Sequence, residues 1–390
     1  MPHTNIKILT WFNFFTDFKF YAPVAIIYFT RVSGSFTLGM SIFAITMISS
    51  ALFEIPTGIF SDYLGRRKTM LLGAVSAVLY ALLYAISHSY WMLAYGALFE
   101  GLSRSFYSGT DTALLHESLA ETGNEHSYDE YLGRVRSMFQ IALAISAIIG
   151  SFLAQWSFPL IMWLSVIPQL LCVFLALRLR EPRFKERTSG NIYTHLRKAY
   201  RNFIHNKKLR LLSTASILSE GMGEATYQFQ SAFYNTVLPI WAIGIVKTLS
   251  NIGATISFRL SGRIIKKYGA TKLLFTGTLY NRFINSIAVL FPTVLSPFLM
   301  VTSSFFYGIT SVAENTLMQR EFRSSQRATM GSLNSFGGSL FFGFAALLLG
   351  FIADRVSPAR AILGIQLVSL TIPWLYWKLY NHTKAVTVGK

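Results

Sequence analysis

The sequence predicts an all-α membrane protein, from its composition and from the length of its apolar stretches. Of its 390 residues, 52% are hydrophobic and 13% are charged, with a mean hydropathy of +0.44. About a quarter of the residues are charged in an ordinary soluble domain, so this composition argues against a cytosolic enzyme. The 33 Phe and 19 Tyr likewise exclude a disordered chain. The apolar stretches are about 20 residues long, as a helix needs to cross a membrane.

Twelve such stretches are predicted to be transmembrane helices, because lipid leaves backbone groups no outside partner. The first carries Asp17 and Lys19 and lacks a small-residue cleavage site, so we expect a retained helix rather than a signal peptide. A single cysteine, Cys172, excludes an internal disulfide and a cysteine metal cluster. The approximate spans are 6–30, 37–60, 69–87, 90–115, 132–154, 158–178, 211–234, 238–260, 271–291, 296–319, 328–352 and 359–380.

The basic residues predict the orientation. Most of the 35 Lys and Arg fall in the tails and in alternate loops, which predicts that both termini are cytoplasmic. We expect the protein to lie in the inner membrane of the cell. The net charge of +18 is therefore a topology signal, and it favours anionic lipid headgroups at the inner leaflet rather than nucleic acid. We expect a monomer.

The longest polar stretch divides the chain into two six-helix bundles, 1–178 and 211–390, joined by a cytoplasmic linker at 179–210. From Gly190 onward, apolar residues recur at helical spacing among Arg and Lys. This pattern predicts a basic amphipathic helix on the inner membrane surface, and the alternative is a solvated linker.

Residues 58–68, between the second and third predicted helices, read GIFSDYLGRRK. Gly58 allows close helix approach, Gly65 allows a tight turn, and Asp62 can face an arginine or the positive end of a helix. The segment resembles the G-x-x-x-D-x-x-G-R-R-K signature of the major facilitator superfamily at every defined position. The resemblance implies two six-helix halves and a conformational latch formed by Gly58, Asp62, Gly65, Arg66 and Arg67. The alternative is that the basic residues only hold the loop on the cytoplasmic side of the membrane. That would explain Arg66, Arg67 and Lys68 but not the two glycines and Asp62.

A degenerate copy of this loop lies in the second half. Gly262, Gly269 and Lys272 stand at the same mutual offsets as Gly58, Gly65 and Lys68, with Lys266 in the place of Asp62. Two tandem repeats are therefore expected. The fifth predicted helix has no Gly-Pro pair, so the signature of the superfamily's drug/proton antiporters is missing.

Polar groups inside the membrane are costly and mark candidate sites. Asn13, Asp17 and Tyr21 recur every four residues and are expected to share one helix face, with Lys19 pointing elsewhere. Asp17 would hold a proton or meet a cationic substrate. The alternative is a salt bridge to a neighbouring helix.

The fourth predicted helix places Arg104 between Glu100 and Asp111 on one stripe. An arginine that alternates between the two carboxylates would lower the pKa of the one it pairs with and leave the other easier to protonate. The alternative is a static ion network that only holds the helix in place. The following loop has acidic residues at every fourth position, including Glu117. They are expected to meet basic loops of the other half or to be solvated.

In the seventh predicted helix, Glu220 and Glu224 lie four residues apart, and such a pair is expected to share a proton and titrate as a unit. A bridge from either to an arginine is the alternative. The remaining cavity candidates are Tyr227 and Gln228, one turn further, and Arg282, Glu314 and Asn315, of which Glu314 and Asn315 would line a cavity or pair with Arg282.

The chain contains no P-loop, nucleotide fingerprint, zinc spacing or nucleophile motif, so we expect no enzyme, metal or cofactor. The sequence predicts a secondary active transporter that exports a small organic solute by alternating access, with a proton gradient as its energy source. The alternatives are an uptake symporter, a flippase for a lipid-like molecule, or a transport-dead receptor or scaffold whose cavity carboxylates are all locked in salt bridges.

Overall fold

A computed structural model describes residues 2–121, 123–124, 127–182, 206–321 and 327–388, and no strand occurs in these ranges. The first half contains α1 (Pro2–Asp17), a 3-10 turn (Ala22–Val24), α2 (Ala25–Ser33), α3 (Phe36–Leu64), α4 (Arg66–Ala85), α5 (Tyr90–Tyr107), α6 (Thr110–Ala120), α7 (Tyr128–Ala154) and α8 (Phe158–Arg178). The second half contains α9 (Lys207–Val237), α10 (Ile240–Tyr268), α11 (Ala270–Leu290), α12 (Ser296–Val301), α13 (Ser304–Glu321), α14 (Arg327–Arg355), α15 (Pro358–Val368) and α16 (Thr371–Val388).

The all-α prediction is confirmed, since each of the twelve predicted spans falls on helical segments. Four spans, however, are interrupted rather than continuous: the first, fourth, tenth and twelfth. In the fourth span the cause is Gly109, whose φ of +72° lies in the left-handed region and ends the helical path between α5 and α6. The interruptions matter because they redirect the side chains on which the site predictions depend.

Seven helical segments in the described ranges are long and apolar enough to cross a membrane. The other helices are shorter, interrupted or more polar. They include α1, α5 and α9, which carry eight of the thirteen predicted coupling and cavity residues. The apolar segments are Phe36–Glu54, Arg66–Ala85, Glu130–Ala154, Phe158–Arg178, Ile240–Tyr268, Met330–Arg355 and Pro358–Asn381.

The chain divides into two compact units. The first comprises Met1–Thr188 with Pro239–Thr248, and the second comprises Ser189–Leu238 with Leu249–Lys390. The linker between the two bundles, predicted at 179–210, remains a prediction. The predicted amphipathic helix from Gly190 onward falls on residues 183–205, which lie outside the described ranges.

An apolar core holds the first unit together where α1, α4, α6 and α8 meet. Leu9, Met70, Leu114 and Ala176 are fully inaccessible to solvent there, and Cys172 is equally buried. In a membrane such side chains stabilise the unit through close van der Waals packing between the helices. The core fixes α1, which ends at Asp17, against α6, which begins next to Gly109.

The two copies of the glycine loop have the same backbone geometry within their own units. Gly65 has φ 94° and ψ 161°, and Gly269 has φ 82° and ψ 141°. Each glycine immediately precedes a helix, α4 or α11, and its amide donates to the carbonyl four residues earlier. The repeat seen in the sequence therefore corresponds to a repeated turn.

Candidate functional site

The first unit contains a partly open cavity of about 570 Å³. Its size is within the range of pockets that hold small organic ligands, about 300–1,000 Å³. Helices α1, α4, α5, α6, α7 and α8 all contribute to its wall. The charged lining residues are Asp17, Lys19, Glu100, Arg104, Asp111 and Arg136. The aromatic ones are Phe12, Tyr80, Tyr107 and Phe139.

The break after α1 places Lys19 in this cavity. The helix ends at Asp17, and the next helical turn begins only at Ala22. The broken segment packs tightly on α7, because the Phe20 carbonyl oxygen occupies the space that a side chain at Gly150 would need. The Phe20 amide donates to Ser165 Oγ of α8 at 3.0 Å. The prediction that Lys19 points away from the Asp17 region is therefore wrong, since the chain no longer follows a helix there.

Lys19 forms the central ion pair of the cavity. Its Nζ lies 2.9 Å from Glu100 Oε1, and both side chains are only 10% exposed. Arg104 Nη2 lies further from the same oxygen, at 3.7 Å. Glu100 Oε2 accepts a hydrogen bond from the Tyr84 hydroxyl at 3.0 Å. Glu100 is thus satisfied at both oxygens, mainly by Lys19.

Asp111 pairs with Arg136 and not with Arg104. Arg136 Nη2 of α7 lies 3.2 Å from Asp111 Oδ2. The break at Gly109 takes Asp111 off the stripe that carries Glu100 and Arg104. The predicted stack of Arg104 between two carboxylates is therefore corrected: each carboxylate has a cation of its own.

Asp17 differs from the other two cavity carboxylates. Across the described ranges it forms no ion pair within 4.0 Å and no side-chain hydrogen bond, although it lines the same cavity as Arg104 and Arg136. Asn13, one turn earlier, also lines the cavity, and its amide donates to the Leu9 carbonyl at 3.1 Å.

Tyr21 is not part of the cavity wall, which corrects its predicted place beside Asn13 and Asp17. It lies beyond the end of α1, where it is 4% exposed. Its ring packs edge-on against Tyr84, with centroids 5.8 Å apart. Within the described part of the chain its hydroxyl has no hydrogen-bond partner.

The acidic pair of the second unit lies on the unbroken helix α9. Glu224 accepts a hydrogen bond from Gln228 Nε2 at 2.7 Å. The Glu220 carboxylate lies beside Gly338 of α14, where an added Cβ would be 2.7 Å from Oε2. Neither glutamate forms an ion pair with a residue of the described ranges. Tyr227, on the same helix, is 36% exposed.

Glu314 and Arg282 do not pair with each other. Glu314 accepts hydrogen bonds from Ser216 Oγ and from the Tyr376 hydroxyl, both at 2.5 Å. Arg282 is 5% exposed and donates through Nη1 to Gln366 Oε1 at 3.1 Å. Asn315 is exposed. Of the two alternatives for Glu314, the pair with Arg282 is therefore excluded in this conformation.

The signature loop is held by a residue that the motif does not include. Glu181, just after α8, accepts the backbone amides of Arg66 at 2.7 Å and Arg67 at 2.8 Å, one with each carboxylate oxygen. These amides begin α4, so the carboxylate satisfies unpaired donors at the positive end of the helix. The Arg67 side chain also donates to the Leu177 carbonyl at 2.9 Å.

The remaining latch residues have separate roles. Arg66 pairs with the buried Glu117 of the same unit at 3.1 Å and donates to Ser61 Oγ at 2.7 Å. Glu117 is 3% exposed, so the alternative of a solvated acidic residue is wrong for Glu117. No described atom lies within 4 Å of a Cβ added at Gly58, so the predicted close helix approach is not seen among the described residues. The Asp62 side chain lies outside the described residues.

Replacing Glu181 with Ala is expected to lower the free energy of unfolding by about 0.5–2 kcal/mol, the usual cost of losing an N-terminal cap. Glu181→Gln keeps one acceptor oxygen and should lose less. The matched control is Glu130→Gln, an exposed glutamate that pairs with Arg134 at 3.6 Å and is expected to cost little. SDS titration of the purified variants measures the difference, and equal losses for Glu181→Ala and the control would contradict the capping role.

Sequence reasoning missed Arg136, Gln169 and Glu181. Arg136 and Glu181 lie at predicted cytoplasmic helix ends, where basic and acidic residues normally signal topology alone. Gln169 lies in the apolar α8, is 1% exposed, and donates from Nε2 to the Phe15 carbonyl at 3.3 Å. The signal that was available for Gln169 is a single amide side chain in an otherwise apolar span.

Comparison with known proteins identifies a family and several relatives. The profile of the Major Facilitator Superfamily matches residues 8–346. An uncharacterized transporter of Buchnera aphidicola is 27% identical over 173 residues, 44% of this chain and 43% of that protein. The class B tetracycline resistance protein of Escherichia coli is 30% identical over 114 residues, 29% of this chain and 27% of that protein. The matched segments thus span less than half the length of these relatives.

Solved structures share the fold over nearly the whole chain. The crystal structure of the nucleoside transporter NupG superposes with a TM-score of 0.80 at 15% identity, covering 97% of this chain and 99% of that one. At this identity the likeness shows the fold alone. With its signature loop and a family profile that spans both halves, the chain belongs to the Major Facilitator Superfamily of multi-pass membrane transporters.

Proposed function

We propose that this transporter moves a small organic solute by alternating access and that a proton gradient drives it. The observation that carries the proposal is the Asp17 carboxylate, which lines the cavity without an ion pair among the described residues, whereas Glu100 and Asp111 each have one. An ionised group in a membrane interior costs about 2.5–3.5 kcal/mol or more unless it finds a partner. A proton or a positive group of the solute supplies that partner.

The same feature favours a transporter over a transport-dead receptor or scaffold. A scaffold needs its cavity carboxylates for structure alone, and all of them would be held in permanent ion pairs. Asp17 does not fit that description, whereas Glu100 and Asp111 do. Its placement therefore favours a group that changes partners during a cycle.

The second unit supplies two further candidates. Glu220 and Glu224 lie one helical turn apart, and in this conformation neither has an ion-pair partner in the described ranges. We therefore keep both as coupling groups alongside Asp17. Arg104 and Asp111 would then act through the solute or through their ion pairs.

Outward transport is the direction we propose. Its support is the relation to a protein named for tetracycline resistance, 30% identical over 114 residues. An uptake symporter or a flippase for a lipid-like molecule would use the same unpaired carboxylate, so the direction of flux decides among them. We further propose that both termini are cytoplasmic and that the basic inner surface contacts anionic headgroups, from the distribution of Lys and Arg.

The test is solute flux in proteoliposomes under an imposed pH gradient, screened over a panel of organic cations, anions and ampholytes. One pH unit is worth about 1.4 kcal/mol per proton, which corresponds to about tenfold accumulation of a solute coupled to one proton. We expect Asp17→Asn to abolish this accumulation while solute counterflow, which needs no gradient, continues.

Glu130→Gln is the matched control, because it removes an exposed carboxylate of the same unit that is already paired with Arg134. Glu220→Gln and Glu224→Gln test the second unit in the same assay. Full gradient-driven accumulation by Asp17→Asn would refute its coupling role. A protein that moves no solute in any arm would be a receptor or scaffold.

A further inference from the structure

One face of α8 holds the end of α1. Ser165, Gln169 and Cys172 are spaced by four and three residues, which puts them on the same side of α8. Each is at most 1% exposed. Ser165 Oγ accepts a hydrogen bond from the Phe20 amide at 3.0 Å, and the Cys172 sulfur lies 3.7 Å from the Thr16 hydroxyl oxygen. The chain is therefore attached to α8 at successive points, from the last turn of α1 into the break.

Gln169 makes the contact that is closest along the chain to Asp17. Its Nε2 donates to the Phe15 carbonyl at 3.3 Å and to the Thr16 carbonyl at 3.5 Å. These two residues directly precede Asp17, where α1 ends. The last carbonyls of a helix have no partner within the helix, so a side-chain donor that satisfies them fixes the final turn. The backbone before Asp17 is thus anchored from α8.

The amide of Gln169 is satisfied at one end only. Its Nε2 has the two carbonyls, whereas its Oε1 is buried without a hydrogen-bond partner in the described ranges. A buried polar atom without a partner is unfavourable, and an apolar side chain of the same length would pack in the membrane without that cost. The favourable contribution of Gln169 therefore lies in what its nitrogen holds.

Asp17 depends on such an anchor, because its side chain has no contact that fixes its position. It lines the cavity without an ion pair or a side-chain hydrogen bond in the described ranges. Asp111, by contrast, has Arg136 at 3.2 Å, and Lys19, inside the break, has Glu100 at 2.9 Å. The place of Asp17 in the cavity wall is therefore set through its backbone.

We propose that Gln169 is a positioning residue that acts through Asp17, because it holds the last turn of α1 where the Asp17 carboxylate lines the cavity. The proposal rests on the proposed function in treating Asp17 as a group of the transport cycle. It adds a residue of α8 that needs no contact with the solute. A buried side chain can act in this way because its partner is the backbone of α1.

Carbodiimide labelling of the purified protein in nanodiscs, measured at each carboxylate by mass spectrometry, tests the position of Asp17. Gln169→Met removes the donor and keeps the length of the side chain. The last turn of α1 should then loosen, and labelling of Asp17 should rise about fivefold, the effect of one hydrogen bond. Labelling of Asp111 on α6 should not change, whereas a general loss of structure would raise both.

Gln140→Met is the matched control. Gln140 lines the same cavity from α7, but it is exposed, and the chemical change is the same. This variant should leave the labelling of both Asp17 and Asp111 unchanged.

Flux in proteoliposomes separates positioning from a purely structural role. Gln169→Met should lower accumulation under a pH gradient about fivefold and leave solute counterflow nearly unchanged. In the Asp17→Asn background, Gln169→Met should have no effect on the counterflow that remains, because a residue that acts through Asp17 has nothing left to act on. A structural role would lower counterflow in both backgrounds.

Unchanged labelling of Asp17 in the Gln169→Met variant would overturn the proposal, and so would labelling that rises equally at Asp111. Counterflow that falls equally with and without Asp17→Asn would overturn it as well. Full accumulation by Asp17→Asn would instead refute the coupling role proposed for Asp17. Labelling needs neither solute nor gradient, so it would still decide whether Gln169 positions that carboxylate.

Discussion

Replacing Glu100 with Gln is expected to lower the free energy of unfolding by about 3–5 kcal/mol, the usual cost of removing one partner of a buried ion pair. Lys19 is then left as a buried charge, since its Nζ lies 2.9 Å from Glu100 Oε1 and its side chain is 10% exposed. The Tyr80 ring, 5.0 Å from Nζ, gives only partial compensation. SDS titration of the purified variant measures the loss.

The second substitution in this test is Lys19→Met, made in the Glu100→Gln background. Removing both charges leaves neither uncompensated, so the double variant should regain most of the stability lost by Glu100→Gln. Lys19→Met alone should cost less than Glu100→Gln, because Arg104 at 3.7 Å and the Tyr84 hydroxyl still hold the carboxylate. A double variant no more stable than Glu100→Gln would show that the pair is not the source of the loss.

Replacing Gly65 with Ala is expected to cost about 1–3 kcal/mol from backbone strain alone. At φ 94° and ψ 161°, Gly65 adopts a conformation that is essentially restricted to glycine. An added Cβ would also clash with the Glu181 carboxylate that holds the first amides of α4. The variant should therefore unfold at lower SDS concentration and lose transport, because the loop can no longer close onto Glu181.

Gly58→Ala is the matched control for Gly65, from the same motif. Gly58 lies inside α3, and no described atom is within 4 Å of an added Cβ. Alanine also favours the helix over glycine by about 1 kcal/mol, so this variant should be as stable as the unaltered protein or more so. If Gly58→Ala is stable but does not transport, Gly58 acts in another conformation of the cycle. Equal stability of the Gly65→Ala variant and the unaltered protein would contradict the strain argument.

The fold was predictable because its signals are local and repeated. Apolar stretches of membrane-spanning length occur along the whole chain, and the glycine spacing around Gly65 recurs around Gly269. Both glycines then adopt nearly the same backbone conformation. Turn chemistry of this kind depends on a few neighbouring residues, so a sequence motif carries it reliably.

The partners of the charged residues were not predictable in the same way. Helical spacing predicted that Arg104 lies between Glu100 and Asp111 and that Lys19 points away from Asp17. The breaks at 18–21 and at Gly109 reversed both expectations, because each break changes the direction of every later side chain. Arg136 and Glu181 come from distant parts of the chain, and spacing along one helix contains no information on such contacts.

Hydrophobicity and motif spacing were thus sufficient to establish an all-α membrane protein with duplicated glycine turns and costly ionisable groups in its helices. Only the packing of the helices decided which of those groups are neutralised. Lys19 pairs with Glu100, Arg136 pairs with Asp111, and Asp17 has no ion-pair partner in the described ranges. The physical reason is that ion pairing depends on distances of a few ångströms between helices, which the order of residues along one helix does not contain.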